Sequence, residues 1–189
     1  MAQFGAKMPC FKANTENSTG VVIGKLVAAN LTVNLASGEL YADDTLAEQL
    51  SEFASGSVAM ETDDIEDPVA KEIYGCEVAD KVVKYKQGDT PPLGTLGYYK
   101  VLMRKGIKVF KGYVYPKVRA ALGSDNAQTR GSSITFGTSQ TSFTVFADDT
   151  DGTWRETQEF TEESACVTWV KTKCGISEAA AATEPVEGE

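Results

Sequence analysis

The sequence predicts one mainly β domain of the α+β class with short flanking helices, and three observations support this prediction. Apolar and polar residues alternate with a period of two in several segments, which is the pattern of a half-buried strand. Clusters of Gly, Pro, Asp and Asn separate these segments, as turn residues do. Helical spacing occurs only in short stretches. An apolar fraction of 42% in 189 residues is enough for the core of one such domain.

The chain is expected to divide into an N-terminal arm, one domain and an acidic tail. Residues 1–19 are polar and irregular, so we predict an arm rather than a packed element. The domain then covers residues 20–175. Residues 176–189 are rich in Ala, Glu and Thr with no basic residue, and we predict that this tail is disordered.

The first strands are expected over residues 21–35, where Leu31, Val33 and Leu35 alternate with polar neighbours. Residues 36–39 are predicted to turn the chain into a second short strand at 40–42.

A short helix is predicted to begin at Thr45. Thr45 and Glu48 have the spacing of a capping box, in which each side chain satisfies a free backbone amide of the first turn. Three apolar residues then follow at helical spacing: Leu46, Leu50 and Phe53. Gly56 is expected to end this helix, and residues 58–62 are predicted to form a strand.

A second short helix is expected after Asp67, with Pro68 in its first turn and Gly75 just past its end. Its apolar face would consist of Ile65, Val69 and Ile73. A strand follows at residues 81–86, and Pro91 and Pro92 lie in the loop after it.

The middle of the chain predicts a β-hairpin. Residues 98–103 and 107–118 are strand-like and are joined through the turn at 104–106. The second strand is apolar on both faces. Its alternating residues are Ile107, Val109, Tyr113 and Tyr115 on one side and Phe110, Val114 and Val118 on the other.

Three further strands and a helix are predicted in the C-terminal third. The strands are expected at residues 134–137, 142–147 and 153–158, with a turn at 148–152. A helix opening at 161–163 would place Ala165, Cys166, Trp169 and Val170 on one face. Lys171 and Lys173 in its last turn suit the helix dipole.

Composition argues against several classes of function. A net charge of −9 opposes a general nucleic-acid binder, which needs a basic surface. No His is present, so the commonest general base and metal ligand is missing. The four Cys are widely spaced, which favours reduced, partly buried thiols over a zinc site. We expect no enzyme, cofactor or metal. The N-terminus has no signal-peptide pattern, and no segment is long and apolar enough to span a membrane.

Two acidic motifs need a separate explanation. The pairs Asp43–Asp44 and Asp63–Asp64 resemble a carboxylate dyad in sequence only, because neighbours on an extended chain point to opposite faces. We therefore favour caps and solvated turns. Residues 149–152 match the start of a calcium loop, but Phe160 stands where the bidentate Glu belongs, which favours a type I turn.

Charge is sorted by segment. Residues 26–70 contain ten Asp and Glu but no Lys or Arg, whereas residues 90–124 contain seven Lys and Arg but no Asp or Glu. One explanation is that the acidic segment of one copy meets the basic hairpin of the next. The candidate contact residues are Asp43, Asp44, Glu48, Arg104, Lys105, Lys108 and Lys111. The alternatives are an acidic surface that faces passing DNA, and a basic aromatic hairpin that binds single strands.

Several segments, in this order, carry a resemblance to a known family. They are the run 40–44 after an early strand, the run 56–61 followed by 63–65, the basic hairpin at 98–115, the strand and acidic turn at 143–154, and the helix at 165–170. Over about residues 9–175 the sequence resembles the major tail proteins, or tail tube proteins, of long-tailed non-contractile phages.

The resemblance implies a β-sandwich or half-barrel flanked by a helix, with six copies in each ring. The rings would stack into a tube that conducts DNA through the virion tail, after assembly in the host cytoplasm. Tape-measure, tail terminator and tip proteins would be partners, with no membrane and no catalytic site. The alternatives are the tube protein of a contractile injection system and a carbohydrate-binding β-sandwich module.

Overall fold

The computed structural model describes residues 2–16, 18–80, 82–121 and 137–176. The strands are β1 (Ala2–Ala13), β2 (Val21–Val22), β3 (Leu26–Ala42), β4 (Thr45–Thr62), β5 (Glu77–Ala79), β6 (Val82–Lys84), β7 (Leu93–Arg104), β8 (Ile107–Ala121), β9 (Ser139–Val145) and β10 (Glu156–Phe160). The helices are α1 (Asp67–Tyr74) and α2 (Glu163–Lys173). The described chain is thus mainly β, as the sequence predicts, and contains two short helices.

Eight strands form one antiparallel sheet in the order β2–β1–β7–β8–β9–β4–β3, with β10 attached to β8. The second edge of β8 is divided between two partners. Its first half pairs with β10, and its last residues, Val118 to Ala121, pair with β9. Contacts between β1 and β3, which are far apart in the strand order, show that the sheet curves. A separate ribbon consists of β5 and β6.

The two faces of the sheet bury two different cores. Along β7, Leu96 and Tyr98 point into the larger core, while Tyr99 and Val101 point into the smaller one. The larger core also contains α1 and buried side chains from β1, β4, β8 and β9. The smaller core lies under α2. This alternation explains why β7 and β8 are apolar on both faces.

The prediction of α1 is confirmed, together with the signals that define its ends. Pro68 lies in its first turn, where a missing N–H costs nothing. Gly75 follows in the left-handed conformation with φ of 69° and donates its N–H to the carbonyl of Lys71. Val69 and Ile73 are buried against the larger core.

The prediction of α2 as a helix is also confirmed, with Cys166 and Val170 buried and Lys171 and Lys173 in its last turn. Ala165, which the sequence places on the same apolar face, is exposed. The helix approaches the sheet closely because β8 carries a glycine beneath it. A Cβ atom on Gly112 would lie 2.7 Å from the indole ring of Trp169.

The predicted hairpin is present and longer than expected, since β7 begins at Leu93 and β8 ends at Ala121. Lys105 and Gly106 form its two-residue turn with φ of 50° and 82°. Positive φ at both central positions is the type I′ geometry that matches strand twist.

The prediction of an unpacked N-terminal arm is wrong. Ala2–Ala13 forms β1, which pairs with β7, and Cys10 and Phe11 are fully buried. The reason is non-local. The polar composition of the segment indicates exposure, but β7 offers a long unpaired edge that β1 covers.

The prediction of a helix at Thr45 is wrong as well. Residues 45–62 form β4, which pairs with β3 along its whole length, and Asp43 and Asp44 form the turn between them with φ of 51° and 62°. The predicted turn at 36–39 is absent because β3 is continuous. A helix of about ten residues is marginal by itself. The hydrogen bonds that residues 45–62 form with β3 outweigh the local capping signal.

The C-terminal predictions are confirmed in part. The strand predicted at 142–147 is β9, which runs from Ser139 to Val145, and the one predicted at 153–158 is β10, three residues later. The turn at 148–152 is present, with the N–H of Gly152 donating to the carbonyl of Asp148 at 3.0 Å. The strand predicted at 134–137 lies, apart from Gly137, outside the described residues. So does the tail predicted at 176–189, apart from Ile176.

Candidate interaction surface

The outer part of the β3–β4 hairpin extends beyond the rest of the sheet. β9 pairs with β4 only from Gly56 to Thr62, so no described strand lies beside residues 33–55 as a third strand. We call these residues the hairpin arm. About ten residues separate its base from its turn. At roughly 3.3 Å per residue, the turn lies about 33 Å from the last strand that supports the hairpin.

The hairpin arm exposes six large apolar side chains, and their exposed fractions range from 37% to 64%. They are Val33, Leu35, Leu40, Tyr41, Leu46 and Leu50. By strand alternation, Val33, Leu35 and Tyr41 continue the face on which Leu31 packs against the larger core. Leu40 lies on the opposite face. The arm is therefore apolar on both sides.

The hairpin arm is also acidic. It carries five carboxylates and no Lys or Arg: Glu39, Asp43, Asp44, Glu48 and Glu52. Glu39 accepts hydrogen bonds from Tyr41 Oη at 3.1 Å and from Gln49 Nε2 at 3.3 Å. None of the five carboxylates forms an ion pair with a described residue. The predicted contact residues Asp43, Asp44 and Glu48 all lie in the outer part of the arm, with the two Asp at its tip.

The base of the hairpin arm is fixed by an aromatic stack. The rings of Phe53 and Trp154 are 4.5 Å apart and nearly parallel. The guanidinium of Arg155 lies 4.7 Å from the centre of the Trp154 indole. The arm therefore starts beside a cation and ends far from it.

A second surface, which we call the cationic patch, lies on the larger-core face of the β7–β8 hairpin near the base of the arm. It comprises Lys100, Arg104, Lys111, Tyr113 and Arg155. Lys100 and Lys111 are directly opposite each other across the two strands. The Nζ atom of Lys100 lies 5.3 Å from the centre of the Tyr113 ring, and that of Lys111 lies 5.9 Å from it. Such contacts hold cations over the negative face of the ring.

The cationic patch contains more positive charge than its own carboxylate can balance. Glu159 on β10 pairs with Arg104 at 2.6 Å and with Lys111 at 3.4 Å. Neither Lys100 nor Arg155 has a carboxylate partner among the described residues. Burial, and then the charge of Arg155, lower the pKa of Lys100.

The sequence identified part of this surface. Of the four basic residues predicted as contacts, Arg104 and Lys111 belong to the cationic patch. Lys105 is exposed at the turn, and Lys108 lies on the opposite face, which α2 covers. Sequence reasoning missed Arg155. Its position depends on the pairing of β8 with β10, for which the sequence holds no local signal.

The thiols are free, as the sequence predicts, and all four are buried. Burial raises the pKa of Cys166 to about 11. The pKa of Cys10 is raised by a hydrogen bond with Cys174 and by burial. Among the described residues there is no group of three potential ligands that could hold a metal ion.

Within the described ranges, neither helix is long and apolar enough to cross a membrane. In comparisons with known proteins, no family model matches the chain. No curated protein matches it either.

Proposed function

We propose that this chain is a structural subunit that assembles with copies of itself into stacked rings, six copies to a ring, and forms the tail tube of a long-tailed non-contractile phage. The observation that carries the self-assembly is the hairpin arm. It exposes six large apolar side chains on a ribbon in which two of the described strands pair with each other and with no third.

A two-stranded hairpin is at best marginally stable in water without a surface to pack on. Among the described strands, none pairs with the outer edge of β3 along the arm, so its backbone groups can pair with another chain. Both features suit a segment that a partner covers after assembly. Because the arm and the surface that receives it are different parts of the chain, the contact is heterologous and generates rings or filaments.

The tube itself is proposed from the resemblance and from charge. A curved sheet with α2 on one face is compatible with a sandwich or half-barrel whose edges join those of neighbours in a ring. A net charge of −9 suits a conduit through which DNA passes without binding. The proposed partners are further copies of the chain together with tape-measure, terminator and tip proteins, and no catalytic step is involved.

The alternatives differ in what they require of the surface. A carbohydrate-binding module usually presents exposed aromatic rings on a flat face. Here Trp154 stacks on Phe53, and Trp169 packs on Phe160 and over Gly112. The tube of a contractile system would need an outer surface for a sheath, and co-purification with a sheath protein would support that reading.

Sedimentation velocity and negative-stain electron microscopy of the purified full chain test the proposal. We expect a species of six subunits or tubes whose amount increases with protein concentration. A strict monomer at the highest soluble concentration would overturn it.

A further inference from the structure

We propose that the tip of the hairpin arm docks on the cationic patch of a second copy of the chain. This inference rests on the proposed self-assembly and names its contact surfaces. The arm supplies Asp43, Asp44 and Glu48, and the patch supplies Lys100, Lys111 and Arg155.

In this structure the hairpin arm does not contact the cationic patch of its own molecule. The base of the arm is held at Trp154 by Phe53, next to Arg155 and the cationic patch. The paired strands run continuously from that base to the turn. No described ion pair joins the arm to the patch, and neither β3 nor β4 contacts β7, β8 or β10. Each patch is therefore left open to the arm of another copy.

The two surfaces are complementary in charge. The arm has five carboxylates without a basic residue, and the cationic patch has four cations with one carboxylate, Glu159. Opposite charges of this kind steer association and fix its orientation. Lys100 is already partly removed from water and has no carboxylate beside it in the described part of the chain. An incoming carboxylate gains more from such a cation than from a fully solvated one.

The surfaces also match in their apolar parts. Ile107, which is 66% exposed, lies on the same face of β8 as Lys111 and Tyr113. On the arm, Tyr41 and Leu46 are paired next to the acidic turn. Docking would therefore cover apolar side chains on both copies while it pairs the charges.

Charge reversal with complementation tests this contact. One variant carries Asp43→Lys and Asp44→Lys, and a second carries Lys100→Glu and Arg155→Glu. Each alone should raise the concentration needed for assembly on the order of tenfold or more, because like charges then face each other. An equimolar mixture should assemble again, since each reversed arm meets a reversed patch and each parental arm meets a parental patch.

Two further variants make the result specific. Lys71→Glu with Lys84→Glu changes charge equally but lies outside both the cationic patch and the predicted contact residues, and it should assemble like the parent. Lys100→Gln with Arg155→Gln removes the two positive charges without adding negative ones. It replaces the charge-reversed patch variant if thermal unfolding shows that the latter does not fold, and it should also weaken assembly.

The outcomes separate this inference from the function on which it rests. The docking is wrong if either patch variant assembles as well as the parent. It is also wrong if the two reversed variants fold but do not assemble when mixed. Neither result contradicts self-assembly. A parent that stays monomeric overturns both. If Lys100→Gln with Arg155→Gln abolishes binding of short single-stranded DNA while assembly is unchanged, the patch is a nucleic-acid site and the docking is wrong.

Discussion

Replacing two exposed leucines of the hairpin arm should weaken assembly without weakening the fold. Leu40 and Leu50 are 57% and 62% exposed, respectively. Full burial of a Leu side chain stabilises by about 2 kcal/mol, so covering the part still exposed should contribute about 1 kcal/mol for each residue. Together, about 2 kcal/mol corresponds to roughly a 30-fold change in an association constant. Leu40→Thr with Leu50→Thr keeps strand propensity and removes this contribution.

The assay is the concentration at which light scattering first reports assembly, measured beside thermal unfolding of the unassembled chain. The double variant should need roughly 30-fold more protein to assemble, while its free energy of unfolding should change by less than about 0.5 kcal/mol per site. Leu96→Thr is the matched control, because Leu96 is fully buried and its replacement should destabilise the fold itself. If the double variant assembles at the parental concentration, the arm is not the surface that partners cover.

Three further predictions concern the fold. Gly112→Ala should destabilise the chain by about 1–3 kcal/mol in thermal or urea unfolding, because its Cβ would lie 2.7 Å from the Trp169 ring. Glu159→Gln should cost about 1 kcal/mol or less, since both of its ion pairs are partly solvated, and the loss should shrink at high salt. Because burial raises the pKa of Cys166 from 9.0 to about 11, its contribution to stability is fully present below pH 9 and is lost as pH rises toward 11; urea midpoints at pH 8 and pH 10 should show the decrease.

Each of these has its own control. Gly38→Ala places a Cβ where no atom lies within 4 Å, so it should not destabilise the chain; equal losses at Gly38 and Gly112 would contradict the close approach of α2. A Glu159→Gln loss unaffected by 1 M salt would show that the ion pairs are not solvated as described. For the thiol, Cys166→Ala should make the decrease in the urea midpoint between pH 8 and pH 10 smaller and leave the part that is due to Cys10, whose pKa is also raised. If the decrease in the urea midpoint were the same in Cys166→Ala and the parent, groups other than Cys166 would cause it.

Local signals were sufficient where an element is defined by its own residues. Pro68 and Gly75 mark both ends of α1, and the glycine at the β7–β8 turn suits positive φ. These features depend on backbone conformation within a few residues, which the sequence determines directly.

Local sequence signals failed where pairing with a distant strand determines the structure of a segment. Thr45 and Glu48 do have the spacing of a helix cap, yet the segment pairs with β3 and forms a strand. Likewise, nothing near residue 155 in the sequence indicates that Arg155 belongs beside Lys100. Strand pairing puts it there, and pairing between distant segments leaves no periodic trace. The candidate site was therefore predictable in its charges but not in its grouping.

The continuity of β4 gives the hairpin arm a mechanical role. The same strand that forms the arm continues, without a break, between β3 and β9 over Gly56 to Thr62. A force applied along the arm acts parallel to these strands. It therefore shears their hydrogen bonds all at once instead of breaking them one after another. A neighbour bound to the tip would pull on β4, which lies next to the edge strand and is hydrogen-bonded on both sides, so tension along an assembly would pass from copy to copy through that strand.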